Sequence, residues 1–302
     1  MSGIWRYFFA FLVWPGLIGG VLLGWLYMWI ARKLTARLQG RRGPPFYQPF
    51  FDFVKLLGKQ TLVPDGVSRI TFHALPLVSL VATGIALALI PVPGNPLQSF
   101  TGDVILLLYL FEVPVICDVL AGYVSRSLYG QVSSAREALL SLGHNLPFLA
   151  AVVALSMHAG SFRMSALHAA PWGPVHVAAF LAFLVSIPAR LKSNPFSIPN
   201  AEQEIVAGTH IEFNAAPLAF FELSHAVEMV ALLGLFFVLF VPPLASQWLS
   251  VLVYAAVSII LLLLVTFVAV ITARIKANQA LWFYWVWGGA AAAAAFAAAV
   301  IW

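Results

Sequence analysis

Acidic and histidine side chains occur inside stretches of this chain that are otherwise apolar. Glu222, His225 and Glu228 lie in "FELSHAVE", at a spacing that places them on one broad face of a helix. A charge inside a membrane costs roughly 2.5–3.5 kcal/mol on insertion scales, so intramembrane acids face protein or water and usually mark an ion path. Because carboxylates and imidazoles in a low dielectric can exchange protons through trapped water, the pattern indicates a proton relay. A buried polar seam that joins this helix to a partner subunit is the alternative.

Two further apolar stretches contain polar groups of the same kind. Glu112 and Asp118 belong to one, and Glu137 opens the next, which continues with His144 and Asn145. An acid that complements the dipole at a helix start explains Glu137 almost as well as a relay does. The predicted proton path comprises Glu112, Asp118, Glu137, Glu222, His225 and Glu228.

The composition is that of an integral membrane protein. The 302 residues are 62% hydrophobic and 9% charged, with a mean hydropathy of +0.95, whereas soluble domains are about 25% charged. The net charge of +5 comes without a basic stripe and interleaved aromatics, which argues against a nucleic-acid-binding protein. The lone Cys117 excludes a disulfide framework and a paired-cysteine metal site. The histidines are not spaced for a metal site with a third ligand, so no metal is predicted.

About eight apolar segments are long enough to cross a hydrocarbon core of about 30 Å. We therefore predict an all-α integral membrane protein with about eight transmembrane helices, in which residues 1–302 form a single membrane domain. The fourth and fifth segments are the weakest, because glycine, asparagine and proline interrupt them. The segments are 5–30, 71–91, 103–123, 135–158, 173–190, 216–240, 247–272 and 279–302.

The basic residues predict the orientation of the chain. Of the 16 lysines and arginines, all but Arg6 and Arg163 lie in, or at the edge of, the loops that follow the odd-numbered segments. By the positive-inside rule those loops are cytoplasmic and both termini lie on the non-cytoplasmic side. The cytoplasmic loops then include residues 31–70 and an acidic loop at residues 189–217.

A short amphipathic helix is predicted within the first of these loops, in "RRGPPFYQPFFDFVKLLGKQ". The prolines before it cannot continue a helix, and apolar residues then recur at Phe50, Phe53, Val54 and Leu57. Such a helix suits a membrane surface or a partner protein. A basic lipid anchor beside the membrane is the simpler alternative.

Three stretches carry a resemblance to a known family. "RRGPPFYQPFFDFVKLLGK", "NPFSIPNAEQEIVAGTHIEF" and "ARIKANQAL" resemble successive cytoplasmic loops of subunit 1 of respiratory complex I. The same loops occur in its relatives in membrane-bound nickel–iron hydrogenases and formate hydrogenlyase. The resemblance covers nearly the whole chain, and that family has eight spans.

The resemblance implies a role inside a larger oxidoreductase complex of the cell inner membrane. The family's subunit anchors the peripheral electron-transfer arm, and its loops form the chamber below the last iron–sulfur cluster. Its buried acids begin the chain that couples electron transfer to proton translocation in antiporter-like membrane subunits. It binds no cofactor itself: iron–sulfur clusters and a nickel–iron centre belong to partner subunits, and a quinone is a possible substrate.

The residues that the family uses for the chamber and for docking of the arm can be assigned here from their positions in the matching loops. Those that match the family's loops are Arg42, Gly43, Pro44, Gln48, Asp52 and Lys55, then Glu202, Glu204, Gly208 and Glu212, then Arg274 and Gln279.

Several acids of the family pattern are missing. Ser197, Asn200 and Asn278 stand where the loops have acids. Within the helices, the positions that are acidic in the family are occupied here by Asn145, by Arg190 or Leu191, and by His225.

These losses favour the hydrogenase branch, whose partners are hydrogenase-like and iron–sulfur subunits. The second hypothesis is the quinone-chamber subunit of a complex I-type NAD(P)H or ferredoxin:quinone oxidoreductase. The alternative of another class is a stand-alone transporter or a purely structural anchor.

Overall fold

A computed structural model describes residues 3–95, 97, 99–206 and 208–302, without the side chains of residues 3, 4, 202 and 203. Every regular element within these ranges is helical, which confirms the all-α prediction. The α-helices are α1 (Gly3–Leu12), α2 (Leu17–Leu38), α3 (Gln48–Leu57), α4 (Arg69–Leu89), α5 (Asp103–Val124), α6 (Leu128–His158), α7 (Met164–Ala169), α8 (Pro174–Arg190), α9 (Glu202–Ile205), α10 (Ala215–Phe240), α11 (Gln247–Ile271), α12 (Ala277–Phe283) and α13 (Gly289–Ile301). A 3₁₀ turn (Gly208–His210) precedes α10, and a π-turn (Tyr284–Gly288) joins α12 to α13.

Seven helical stretches of the described chain are long and apolar enough to cross a membrane. They coincide with seven of the predicted segments. The fifth segment forms α8, which has 17 residues and is slightly short for a hydrocarbon core of about 30 Å. The predicted sidedness of the termini stays a prediction.

The first predicted segment is two helices instead of one. The chain turns sharply between α1 and α2, where a Cβ on Gly16 would lie 1.9 Å from the carbonyl oxygen of Phe11. Only glycine fits this turn, and Pro15 beside it cannot donate a backbone hydrogen bond. Helix α2 then continues to Leu38, well beyond the predicted end at residue 30.

The fourth segment begins earlier than predicted. Helix α6 starts at Leu128, after the N-cap Ser127, and runs without interruption through Pro147. Glu137 therefore lies nearly three turns inside the helix. The alternative that Glu137 caps a helix start is wrong, because the helix dipole acts only within the first turn.

Helix α10 is the centre of the bundle and is almost entirely buried. It packs against α4 on one side and α2 on another. The α2 contact depends on Gly24, since a Cβ there would lie 2.7 Å from the backbone oxygen of Ala226. The position of α10 explains how its polar residues meet side chains from several helices.

The predicted amphipathic helix is present as α3. Phe53 faces inward and packs against Trp25 of α2, with 5.7 Å between ring centroids. Phe50 and Val54 remain about half exposed, so only part of the apolar face is covered by this chain. Asp52 of α3 pairs with Arg32 of α2 at 3.0 Å, which ties the surface helix to the bundle.

We expect Gly24→Ala to destabilise the protein by about 1–3 kcal/mol, because the added methyl group must push the backbones of α2 and α10 apart. Thermal unfolding in detergent measures this as a lower Tm. Gly289→Ala is the matched control, since its Cβ would make only an ordinary 3.9 Å contact with Leu146. Equal Tm values for both variants would show that the α2–α10 approach is not tight.

Candidate functional site

The connecting segments 39–68, 125–127, 191–206, 208–214 and 272–276 meet on one side of the bundle, which we call the loop face. Asn214 exchanges hydrogen bonds with the backbone of Leu62. Ser133 donates to the carbonyl oxygen of Pro199 at 2.6 Å, and the backbone N–H of Ile275 donates to Pro195. The acidic loop is thus fixed to its neighbours on both sides.

The centre of the site is the ammonium group of Lys192, which lies just beneath the loop face. Its Nζ contacts the carboxylate of Asp118 on α5 and lies 3.8 Å from that of Glu137 on α6. Glu228 of α10 lines the same cavity. One buried cation is therefore shared by acids from three membrane helices.

The backbone turn after α8 aims this lysine inward. The N–H groups of Lys192 and Ser193 donate to the carbonyl oxygens of Ala189 and Pro188, the two bonds of a Schellman C-cap. Lys192 has a φ of +49°, a left-handed position usually taken by glycine. A lysine there costs of order 1–2 kcal/mol in backbone strain, which its buried ion pairs must offset.

The carboxylates keep Lys192 charged. Burial alone would lower the pKa of its ammonium group, but the negative charges of Asp118 and Glu137 outweigh this effect and raise the pKa well above its usual value. Lys192 is therefore a fixed positive charge that stabilises ionised carboxylates, and the acids around it are the groups able to exchange protons.

A small cavity lies beside this cluster. Its volume is about 70 Å³, room for about two waters at the 30 Å³ share of a molecule in the liquid. His210 lies at its edge, 3.0 Å from Asp118 and stacked on Phe221 with ring centroids 4.2 Å apart. Glu222, His225 and Glu228 line it as well, so the predicted face of α10 does turn toward the acids of α5 and α6.

Glu222 and His225 each lie between this cavity and a second one. Glu222 also borders a groove of about 250 Å³ between α2, α3 and α10. His225 also borders a cavity of about 180 Å³ between α2 and α11. Both residues are placed to connect the Lys192 cavity with another space.

Glu112 does not join the Lys192 cluster. It pairs with Arg190 at 2.5 Å and accepts a hydrogen bond from Asn145 at 2.6 Å. Asn145 in turn accepts a hydrogen bond from Arg190 at 2.7 Å, which closes the triangle. The guanidinium group also lies over the ring of Phe148, 3.7 Å from its centroid.

The loop residues predicted for arm docking form a second, more exposed group. Arg136 pairs with Glu204 at 2.6 Å, while Arg274 donates to Ser197 and to the carbonyl oxygen of Asn200. Two positions that lack the family's acids thus contact an arginine through neutral oxygens. Gly208 has a φ of +62°, and a Cβ there would lie 2.4 Å from the carbonyl oxygen of Pro199.

The remaining predicted docking residues lie at separate places. Gln48 donates to Asp52 at 2.8 Å, and Lys55 borders the groove at α3. Arg42 is exposed near the end of α2, and the backbone oxygen of Glu212 accepts from Asn214. The side chain of Glu202 lies outside the described part of the chain.

Lys192, Arg190 and His210 were not predicted as site residues. Lys192 was counted only as a loop charge that sets orientation, and Arg190 also as a position where the family pattern has an acid. Their position directly after an apolar segment was the available signal, because a basic residue there can point inward as well as outward. His210 gave no signal beyond its place in the acidic loop. Among the described residues, no group of three histidine, cysteine or acidic side chains is arranged to hold a metal ion.

Comparison with known proteins decides the family. A family model described as NADH dehydrogenase matches residues 13–300. The chain belongs to the NADH dehydrogenase family. This membership confirms the resemblance to subunit 1 of complex I.

Relatives of this NADH dehydrogenase family member are similar over most of their length. An NADH-quinone oxidoreductase subunit of Syntrophotalea carbinolica is 34% identical over 245 residues, 74% of each chain. The corresponding subunit of Rhodospirillum rubrum is 31% identical over 255 residues, 78% of this chain and 75% of the relative. The chain is therefore a multi-pass membrane subunit of a complex I-like respiratory complex, and the stand-alone transporter has no support.

A solved structure matches the fold throughout. It is the membrane-bound sulfane sulfur reductase, an archaeal respiratory membrane complex. The TM-score is 0.88 at 28% identity, and the match covers 97% of this chain and 99% of the other.

We expect Lys192→Met to destabilise the protein by about 3–5 kcal/mol, because it leaves buried carboxylates without their cation. The measurement is the Tm of the purified protein, with Lys59→Met at an exposed position as control. A Tm equal to that of the control would mean that the acids are not held by this lysine.

Proposed function

We propose that this chain anchors a peripheral electron-transfer arm to the cell inner membrane and couples redox chemistry in that arm to proton translocation. The loop face is then cytoplasmic, as the positive-inside rule predicts. The observation that carries the proposal is the buried cluster of Lys192 with Asp118, Glu137 and Glu228, which lies beneath the loop face and beside a water-sized cavity.

The geometry supports proton entry at Glu222. This residue is exposed and borders both the α3 groove and the Lys192 cavity, so a proton taken up there reaches the cavity without crossing apolar packing. Inside the cavity, Lys192 stabilises the ionised acids. A charge change in a docked arm alters which acid holds a proton, because charges in a low dielectric interact over long distances.

The identity of the redox partners is a separate question. A hydrogenase-type complex, with iron–sulfur and nickel–iron partner subunits and antiporter-like membrane neighbours, is favoured by the missing acids at Ser197, Asn200 and Asn145. The full-length match to a chain of a membrane-bound sulfane sulfur reductase supports a partner module whose substrate is sulfane sulfur.

A quinone reductase is the second candidate. The relatives named as subunits of NADH-quinone oxidoreductase favour it. The groove between α2, α3 and α10 combines apolar side chains such as Trp25 and Phe53 with charged ones such as Lys55, which suits a substrate with a polar head and an apolar tail.

Purification of the intact complex from native membranes tests the proposal. Hydrogenase-like or sulfur-reductase-like partners, with hydrogen evolution or sulfane sulfur reduction insensitive to quinone-site inhibitors, support the first candidate. A bound quinone and inhibitor-sensitive turnover support the second. Active recovery of this chain alone would overturn both.

We expect Glu222→Gln to lower proton translocation at least tenfold while electron transfer stays within about twofold, since the amide keeps the shape and loses the titratable group. Redox-driven acidification is measured in proteoliposomes alongside substrate turnover. Glu212→Gln is the matched control, because Glu212 lines none of the cavities around the Lys192 cluster. Equal translocation in both variants leaves only a structural role for Glu222.

We expect Glu204→Ala to weaken docking of the peripheral arm without lowering the Tm of the isolated chain. The Glu204 side chain is 58% exposed, and exposed ion pairs contribute about 0–1 kcal/mol to stability. The measurement is the amount of arm subunits co-purified at rising salt, with the exposed Asp65→Ala as control. Identical recovery in both variants would show that Glu204 is only a solvated acid.

A further inference from the structure

The bundle of α5, α6 and α8 has two polar layers, and the deeper one is formed around Arg190. Glu112 precedes Asp118 by six residues on α5, and Asn145 follows Glu137 by eight residues on α6. At 1.5 Å per residue, the Arg190 layer lies about 9–12 Å deeper than the Lys192 layer. A proton moving from the loop face along these helices would have to pass it.

In the Arg190 layer the carboxylate and the guanidinium group hold each other, while the buried His144 beside Asn145 has no partner on Nδ1 among the described residues. The Arg190 side chain is 1% exposed, and a guanidinium group does not deprotonate in proteins. Glu112 is held by Arg190 and Asn145 on its two carboxylate oxygens. Arg190 Nε and Nη1 have no acceptor among the described residues, so their N–H groups present positive charge to any approaching proton.

Beyond Arg190, three phenylalanine rings fill the same bundle. The ring of Phe148 packs on those of Phe111 and Phe183 with centroids 5.4–5.9 Å apart, and all three are essentially unexposed. The buried Ser186, one turn further along α8, is the next polar side chain, and its hydroxyl donates to the carbonyl oxygen of Phe183. The positions at which the family pattern has acids are thus a closed layer in this chain.

His225 offers a different way out of the Lys192 cavity. It faces this cavity and also the space of about 180 Å³ between α2 and α11. Thr266 of α11, Ser193 and Arg32 line that second space, and the charge of Arg32 is paired with Asp52. It therefore has hydroxyl groups at its wall.

A row of buried hydroxyl groups continues from the cavity between α2 and α11. Tyr254, Ser258 and Thr266 recur on one face of α11 at multiples of four residues, and each is nearly or fully buried. Tyr27 of α2 faces Tyr254 and Ser258. Ser258 Oγ has no well-formed hydrogen bond within the described chain, which leaves it available to water. Buried hydroxyls between apolar helices need such partners.

We propose that protons gathered at the Lys192 cavity leave sideways through His225 and continue along the hydroxyl seam of Thr266, Ser258, Tyr27 and Tyr254 between α2 and α11. The inference rests on the proton translocation proposed above. Each hydroxyl both donates and accepts, so water molecules between successive groups complete a chain for proton hopping. Along α11 the spacing is about 6 Å from Tyr254 to Ser258 and about 12 Å from Ser258 to Thr266, where Leu262 lies between them. No bond other than O–H or N–H is made or broken, and each group returns to its starting form.

The test removes the side-chain hydroxyl oxygens of the seam by substitution. The variants Tyr27→Phe, Ser258→Ala and Tyr254→Phe are made separately and together in the full complex. Redox-driven acidification and electron transfer are measured in proteoliposomes. We expect the combined variant to lose at least tenfold in acidification while electron transfer stays within about twofold.

Two controls separate this result from general damage. Tyr284→Phe removes a buried hydroxyl from another place in the fold, where it donates to the carbonyl oxygen of Val185, and should pump normally. The double variant Glu112→Gln/Arg190→Gln removes the closed layer's ion pair without leaving a lone charge. It should also pump normally, because the route does not cross that layer.

Normal acidification in the combined hydroxyl variant would overturn the inference. Loss of acidification in the Glu112→Gln/Arg190→Gln variant, with its partner subunits present, would also overturn it. If the combined variant does not assemble, Tyr254→Phe alone decides by the same criteria. The native complex distinguishes the two proposals, since a native complex that transfers electrons without acidification refutes the proposed function itself.

Discussion

The structure depends on one buried cation held by acids from neighbouring helices. Lys192 leaves the end of α8 and brings together Asp118, Glu137 and Glu228, each of which would be costly to bury alone. The surrounding packing follows from this demand. Helix α10 lies in the centre of the bundle and brings its acid to the cluster, and the acidic loop that carries the lysine is fastened to α6.

A second buried cation lies deeper in the bundle. The charge of Arg190 is paired with Glu112 and bonded to the amide of Asn145, without help from the Lys192 layer. Two residues of one short segment thus supply fixed positive charge at two depths. One lies among several acids, whereas the other is paired with a single acid.

The acids of the site could be predicted from the sequence, because an ionisable group in an apolar segment has few physical explanations. Asp118, Glu137, Glu228 and the shared face of α10 followed from that argument. The partners of these acids did not. A Schellman turn usually has glycine in its left-handed position, but here that position is occupied by Lys192. The sequence around Lys192 therefore did not show that a turn directs its side chain inward.

Helix boundaries could be predicted only where helix-breaking residues and a drop in hydropathy occur at the same place. The turn at Gly16 was missed because apolar residues continue through it, although Pro15 and Gly16 were the available signal. The start of α6 was missed for the opposite reason, since its first two turns are polar enough to resemble a loop.

The turn that carries Lys192 also has a mechanical consequence. Its ammonium group sits off centre, in contact with Asp118 and 3.8 Å from Glu137. The chain that follows is gripped at Pro199 by Ser133 and at Ser197 by Arg274. Segment 193–200 is therefore held at both ends, by the turn after α8 and by these two contacts, and its middle is buried at Phe196 and Ile198. Because Lys192 directly precedes it, this anchoring fixes the unequal distances of the ammonium group from the two carboxylates, and with them the electrostatic balance inside.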